Sequence, residues 1–201
     1  MIKVVTFDLD GVYFLNGKSN FIANLAKLGV SEEEAKRVFL KSDQMNLLYK
    51  CGKITGNDFW QWAAQEWKLQ KTPLKLVDLL ISGYEINKQA DELVKSLRRK
   101  GIKTAICSNN FKERIEGLDK RFNFLKDFNV VVLSYEVGFT KPDKRIFAEL
   151  IRKSAVKAEE ILYSDDGPEA VAAAKLSGIN AFLYEKFADF QENLVKFKIT
   201  E

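Results

Sequence analysis

The chain has 201 residues, 46% hydrophobic and 30% charged, a balance that builds a folded core and excludes a disordered chain. Its 32 Lys and Arg against 28 Asp and Glu leave a formal charge of +4, dispersed with no polybasic block, which argues against nucleic acid as the partner. With no histidine, the chain has no Ser-His-Asp or Cys-His nucleophile and no His-ligated zinc, so hydrolytic chemistry must run on carboxylates, lysines, hydroxyls and an oxygen-bound hard metal.

In chain order, the first element is the apolar, β-branched run 2–7 (IKVVTF), a buried strand that ends in Asp8-Leu9-Asp10-Gly11. No convincing strand follows from 16 to 86. Helical spacing recurs at 21–28, 31–40, 44–49, 57–67 and 73–81, so this stretch reads as an all-helical insertion. Ser31 with Glu34 three residues on has the capping-box form of a helix start. Trp60, Trp62 and Trp67 all fall in the insertion, where they read as packing mass for a small helical bundle, with ligand stacking as the alternative. The Lys50-Cys51-Gly52-Lys53 segment reads as a solvated turn, with a specificity loop as the alternative; residues 16–19 form a second candidate loop.

Beyond 86, strand and helix alternate. Strand-like runs at 103–107, 130–133, 161–164 and 180–184 are separated by helical patterns at 89–100, 146–153 and 168–176. Leu93, Val94 and Leu97 share a face before Gly101 stops their helix, and Pro168 and Gly178 bracket an alanine-rich one. Alternation of this kind predicts an α/β fold, a parallel sheet flanked by helices, with its ligand beyond the carboxyl ends of the strands. One core with one elaboration suits this length. Cys51 and Cys107 stand far apart, no signal-peptide pattern opens the chain, and no window approaches the ~18 apolar residues of a membrane span, so the expectation is a reduced, cytoplasmic protein.

Each polar cluster stands at the end of a core strand. Asp8-x-Asp10-Gly11 alone is also ordinary turn chemistry. Ser108-Asn109-Asn110 offers a hydroxyl and backbone N–H groups suited to phosphate oxygens, and equally a helix cap. Lys141-Pro142-Asp143 holds a lysine just before a helix start; taken singly, it reads as a surface residue. Asp165-Asp166-Gly167 sets two acids side by side, which repel unless a cation or hydrogen bonds compensate, and so suggests a hard metal.

Four motifs in this order, Asp8-Leu9-Asp10-Gly11-Val12, Ser108-Asn109-Asn110, Lys141-Pro142-Asp143 and Ser164-Asp165-Asp166-Gly167-Pro168-Glu169, resemble those of the haloacid dehalogenase superfamily. The resemblance extends to the subgroup with a helical cap between the first two motifs, and implies a Rossmann-like core of 1–15 and 87–201 with a cap of 16–86. It implies Asp8 as the nucleophile that forms an aspartyl phosphate, Asp10 as acid/base, and Lys141 as the charge offsetting repulsion between Asp8 and the phosphate. It further implies Ser108 and the Asn109 backbone, with Lys141, on the phosphoryl oxygens. Mg²⁺ would be held by Asp8, the Asp10 carbonyl and Asp166, with Asp165 a direct or outer contributor. The expected activity is a phosphatase acting on a small phosphorylated metabolite, with no nucleic-acid or membrane partner; a phosphomutase, a haloacid dehalogenase and a catalytically idle binding protein are the rivals. Asp10 favours phosphate over halide, because a halide leaves without a proton.

Overall fold

The computed structural model describes residues 1–199. Strand β1 (Val4–Phe7) is fully buried, and its side chains alternate between two cores, Val5 and Phe7 on one face and Val4 on the other. Each such side chain contributes roughly 1.5–3 kcal/mol on burial, so this strand anchors the sheet. The two-residue β2 (Phe14–Leu15) follows a tight loop, and then come α1 (Gly17–Ala26), α2 (Glu32–Lys36), α3 (Gly56–Glu66) and α4 (Pro73–Ser82).

Between α2 and α3 the chain forms π-helical turns at Arg37–Lys41 and Gln44–Leu48 and a 3₁₀ turn at Tyr49–Cys51, so the single helix expected over 31–40 changes pitch midway. Ser31 accepts a hydrogen bond from Glu34 N, as expected of a cap, whereas the Glu34 carboxylate turns outward to Arg37. The reciprocal capping box sits instead at Thr55 and Asp58. The three tryptophans pack: Trp60 is fully buried and donates to Tyr49 Oη, Trp67 donates to Glu34 O, and Trp62 lies against Phe59.

Strand β3 (Glu85–Ile86) pairs antiparallel with β2, which closes the chain's exit from and return to the core. Two-residue strands carry no periodicity, and the sequence showed none there. The alternation then runs α5 (Lys88–Arg99), β4 (Lys103–Ser108), α6 (Lys112–Phe122), β5 (Val130–Leu133), the single turn α7 (Ser134–Val137), α8 (Lys144–Ser154), β6 (Ile161–Asp165), α9 (Pro168–Leu176), β7 (Asn180–Leu183) and α10 (Phe187–Lys196). The five long strands form one parallel sheet in the order β5-β4-β1-β6-β7. Residues of α8 and α9 cover one face, and those of α5 and α10 cover the other.

The chain winds outward from β1 to β5 and then crosses back to β6, which makes β1 the switch point where such sheets open a crevice. Phe7 is level with Ile106 on β4 and with Ser164 on β6, so the next residues, Asp8, Cys107 and Asp165, meet at one height.

Candidate active site

Asp8 continues β1 by donating its N–H to Ser164 O at 3.0 Å and is 6% exposed. The loop beyond it folds back through Tyr13 N to Leu9 O and Gly11 N to Phe14 O. Gly11 has φ +81°, and a Cβ there would overlap Asp166 Oδ2, so glycine is required both by the backbone and by the close approach of the neighbouring loop.

Lys141 comes from the loop between α7 and α8. It is buried, and the reading of this lysine as a surface residue is thereby excluded: its Nζ donates to Asp8 Oδ1 at 2.8 Å, Asp165 Oδ2 at 2.5 Å and Cys107 O at 3.1 Å. Asn109 holds this loop in place, since its Oδ1 accepts from Lys141 N at 2.7 Å and its Nδ2 donates to Lys141 O at 3.0 Å. Burial opposes the ammonium, but the Asp8 and Asp165 charges prevail and hold Lys141 protonated well above its ordinary range. Asp165 is further fixed by Gly167 N at 2.8 Å and by the Tyr163 hydroxyl.

Burial raises Asp8 most, Lys141 opposes it, and neighbouring Asp165 raises it again, so the carboxyl is pushed up to about 6. Asp166, more exposed, is also raised, by burial and by Asp165. Ligand oxygens of Asp8, Asp165 and Asp166 lie within 4.8 Å of one another. Three carboxylates held together against one ammonium are short of positive charge, and an all-oxygen donor set suits a hard divalent cation.

Asp10 stands apart from that cluster. Its Oδ2 lies 2.6 Å from Arg114 Nη1 and 3.2 Å from Lys18 Nζ. Burial would raise its pKa, but the Arg114 guanidinium and then Lys18 outweigh it and hold the carboxyl well below the usual carboxylate range. Arg114, 1% exposed, also donates to Tyr84 Oη at 2.9 Å, Asn109 O at 3.0 Å and Asn110 Oδ1. Ser108 is buried, and its Oγ accepts from Asn110 Nδ2 at 3.3 Å. At the entry to α6 Asn110 Oδ1 accepts from Phe111 N at 3.2 Å, while Phe111, the residue directly ahead of the helix, makes no side-chain cap bond.

A family model described as haloacid dehalogenase-like hydrolase matches residues 2–178. The chain belongs to the haloacid dehalogenase-like hydrolases. It is 24% identical over 211 residues to a D-ribitol-5-phosphate phosphatase of Bacteroides thetaiotaomicron, covering 96% of this chain and 97% of that protein. A haloacid dehalogenase family enzyme of the same organism, solved in complex with magnesium and inorganic phosphate, superposes with a TM-score of 0.81 at 22% identity, over 94% of this chain and 99% of that one. The L-2-haloacid dehalogenase of Xanthobacter autotrophicus superposes with a TM-score of 0.68 at 20% identity, over 100% of this chain and 85% of that one. The haloacid dehalogenase-like fold thus accompanies both reactions, and the side chains must choose between them.

The structure brings Asp8, Lys141, Asp165 and Asp166 together, with Ser108 and Asn109 at the end of the adjoining strand and Asp10 paired with Arg114 and Lys18. Sequence reasoning missed Arg114, Tyr84 and Tyr163, and offered Lys18 only as part of the candidate loop 16–19. For Arg114 a signal existed: it follows Asn110 by four residues at a helix start, the spacing at which side chains meet.

Proposed function

We propose that the protein is a magnesium-dependent phosphatase of small phosphorylated metabolites, in which the helical segment 16–86 acts as a cap over a core of 1–15 and 87–201. That it hydrolyses phosphoric monoesters rests on family membership together with the phosphatase among its relatives. The observation that carries the reading is the grouping of Asp8, Asp165 and Asp166 within 4.8 Å of one another beside the buried Lys141.

Asp8, Asp166 and the Asp10 carbonyl would hold the metal, with Asp165, already engaged by Lys141, Tyr163 and Gly167, as a direct or outer contributor. Magnesium, when bound, offsets the repulsion between the Asp8 carboxylate and a phosphate dianion. An Asp8 oxygen attacks phosphorus, the P–O ester bond breaks, and the leaving oxygen takes a proton from Asp10. Water then attacks the aspartyl phosphate, gives its proton to Asp10, and frees Asp8. Ser108, the Asn109 backbone and Lys141 bind the phosphoryl oxygens.

Asp10 as it stands suits the second step, because Arg114 and Lys18 keep it ionised. The arriving phosphate supplies the negative charge that favours its protonated form for the first. A halide needs neither proton nor metal, so Asp10 and the acid cluster favour phosphate. We place the protein in the cytoplasm, with Cys51 and Cys107 as free thiols; no helix among the described residues is long and apolar enough to cross a membrane.

The test is release of phosphate from an aryl ester and a panel of metabolite esters, with Mg²⁺ and with a chelator. Asp8→Asn is expected to lower turnover by at least about a thousandfold with an unchanged circular-dichroism spectrum. Halide release without metal, or wild-type protein inert toward every ester, overturns the reading; isomerised sugar phosphate in place of free phosphate would mark a mutase.

A further inference from the structure

We propose that Tyr163 is a positioning residue that sets the cation preference of the acid cluster: by engaging one oxygen of Asp165 it keeps that carboxylate from chelating a cation with both, which favours Mg²⁺ over Ca²⁺. The inference rests on the metal-dependent reading of the site and deepens it.

Tyr163 and Asp165 are two residues apart on β6 and so share a face of the strand. β6 is an inner strand, with Tyr163 level with Thr6 on β1 and with Ala181 on β7, which fixes its backbone from both sides. The Tyr163 ring is fully buried, edge-on to Phe147 with centroids 5.6 Å apart, in a core shared with Val132, Ile146 and Ile161. A phenylalanine would fill that space as well, whereas a hydroxyl in it costs about 1–3 kcal/mol unless it finds a partner. Its partner is Asp165 Oδ2, to which it donates. The hydroxyl therefore serves Asp165 rather than the core.

A carboxylate has about four acceptor positions, two on each oxygen. On Asp165, Oδ2 accepts from the Tyr163 hydroxyl and from Lys141 Nζ at 2.5 Å, and Oδ1 accepts from Gly167 N at 2.8 Å. Oδ2 is filled, and Oδ1 has one position open. The Lys141 ammonium also lies 5.7 Å from the Tyr163 ring centroid, so the same residue steadies both members of the ion pair. Asp165 nonetheless stands within reach of a cation, because its ligand oxygen lies within 4.8 Å of those of Asp8 and Asp166. It can offer that cation one oxygen at most. Here the two hard cations differ: Ca²⁺ takes about 6–8 oxygens and accepts a carboxylate by both at once, whereas Mg²⁺ demands a compact octahedron. A carboxylate limited to one oxygen costs Mg²⁺ nothing and denies Ca²⁺ a chelate. With the hydroxyl gone, Lys141 alone would leave a position open on each oxygen.

The experiment measures binding of Mg²⁺ and of Ca²⁺ by titration calorimetry, without substrate, on wild type, Tyr163→Phe, Asp165→Asn and the double variant. In Tyr163→Phe, Ca²⁺ binding should strengthen relative to Mg²⁺ by at least about tenfold, the scale on which partners of metal-site carboxylates act. Asp165→Asn alone should keep the wild-type ratio of the two affinities, and in that background Tyr163→Phe should no longer alter it. Lost packing would weaken both cations alike. A ratio unmoved by Tyr163→Phe, or moved equally with and without Asp165, overturns this inference alone. So does an Asp165→Asn loss that falls on Ca²⁺ and spares Mg²⁺, which would show chelation with the hydroxyl in place and requires no change at Tyr163. Wild-type protein that binds no Mg²⁺ overturns the metal-dependent reading and this inference with it.

Discussion

Replacing Arg114 by Met tests whether this buried guanidinium is the counter-ion of Asp10. The substitution keeps much of the side-chain volume and removes the fork that serves Asp10, Tyr84, Asn109 and Asn110. Asp10 would keep the partly exposed Lys18, 3.2 Å away, and the Tyr84 hydroxyl. Removing one partner of a buried pair costs about 3–5 kcal/mol, which at a urea slope of roughly 2 kcal/mol per molar shifts the unfolding midpoint down by about 2 M. The pH dependence separates this cause from lost packing. In the wild type Asp10 is depressed below its unfolded value, so its contribution is present above that value and is lost only as pH falls through the folded pKa. In Arg114→Met, burial is opposed only by Lys18 and the Tyr84 hydroxyl, Asp10 rises, and proton uptake relieves the under-compensated charge as pH falls. The stability gap between wild type and variant should therefore be widest near about pH 8 and narrow toward about pH 5, by about 1.4 kcal/mol per unit once Asp10 is protonated. Urea unfolding at both pH values measures it. A gap below about 1 kcal/mol, or one that ignores pH, refutes the assignment.

Gly11→Ala should cost about 1–2 kcal/mol for its left-handed backbone and displace the Asp166 carboxylate, so Mg²⁺ binding, followed by titration calorimetry, is expected to weaken by at least about tenfold; unaltered affinity would show that Asp166 is not a ligand. Tyr49→Phe leaves the buried Trp60 Nε1 without its acceptor and Glu113 without its donor, at a cost of about 1–3 kcal/mol in urea unfolding. An unchanged midpoint would mean that water replaces the hydroxyl.

How far the molecule was legible in its sequence follows from the range of each signal. Strands β1, β4, β5, β6 and β7 announce themselves because buried parallel strands are continuous apolar runs, and a run is a local feature. The β2–β3 pair and the π turns at Arg37–Lys41 and Gln44–Leu48 are too short or too irregular in pitch to leave a pattern. Among polar residues, Asp8, Ser108 and Asp165 could be placed together because each ends a neighbouring strand. The burial of Lys141 could not, since it depends on Asn109, 32 residues away, holding its backbone by two hydrogen bonds. The segment 50–53 looked like ordinary turn chemistry for the same reason: nothing local reports that Tyr49 stacks on Phe111 and that Gly52 lies against the Tyr135 carbonyl.

The arrangement of charge explains why the readable part of the site concerned chemistry and the unreadable part selectivity. Asp8, Asp165 and Asp166 face a single ammonium, Lys141, and this deficit of positive charge sits on rigid strand ends, where a divalent cation repairs it. On the other side Arg114 and Lys18 face a single carboxylate, Asp10, and this surplus is assembled from the start of α6 and from the helical segment. On the proposed function, a phosphate monoester would sit between the halves with its phosphoryl group toward Asp8 and Lys141 and its leaving group toward Asp10 and its cations. The first half is built from consecutive residues at strand ends and so appears as motifs. The second half exists only once the helical segment is folded against the core, so on the proposed function substitutions in that segment are expected to change the preferred leaving group without touching Asp8 or the acids beside it.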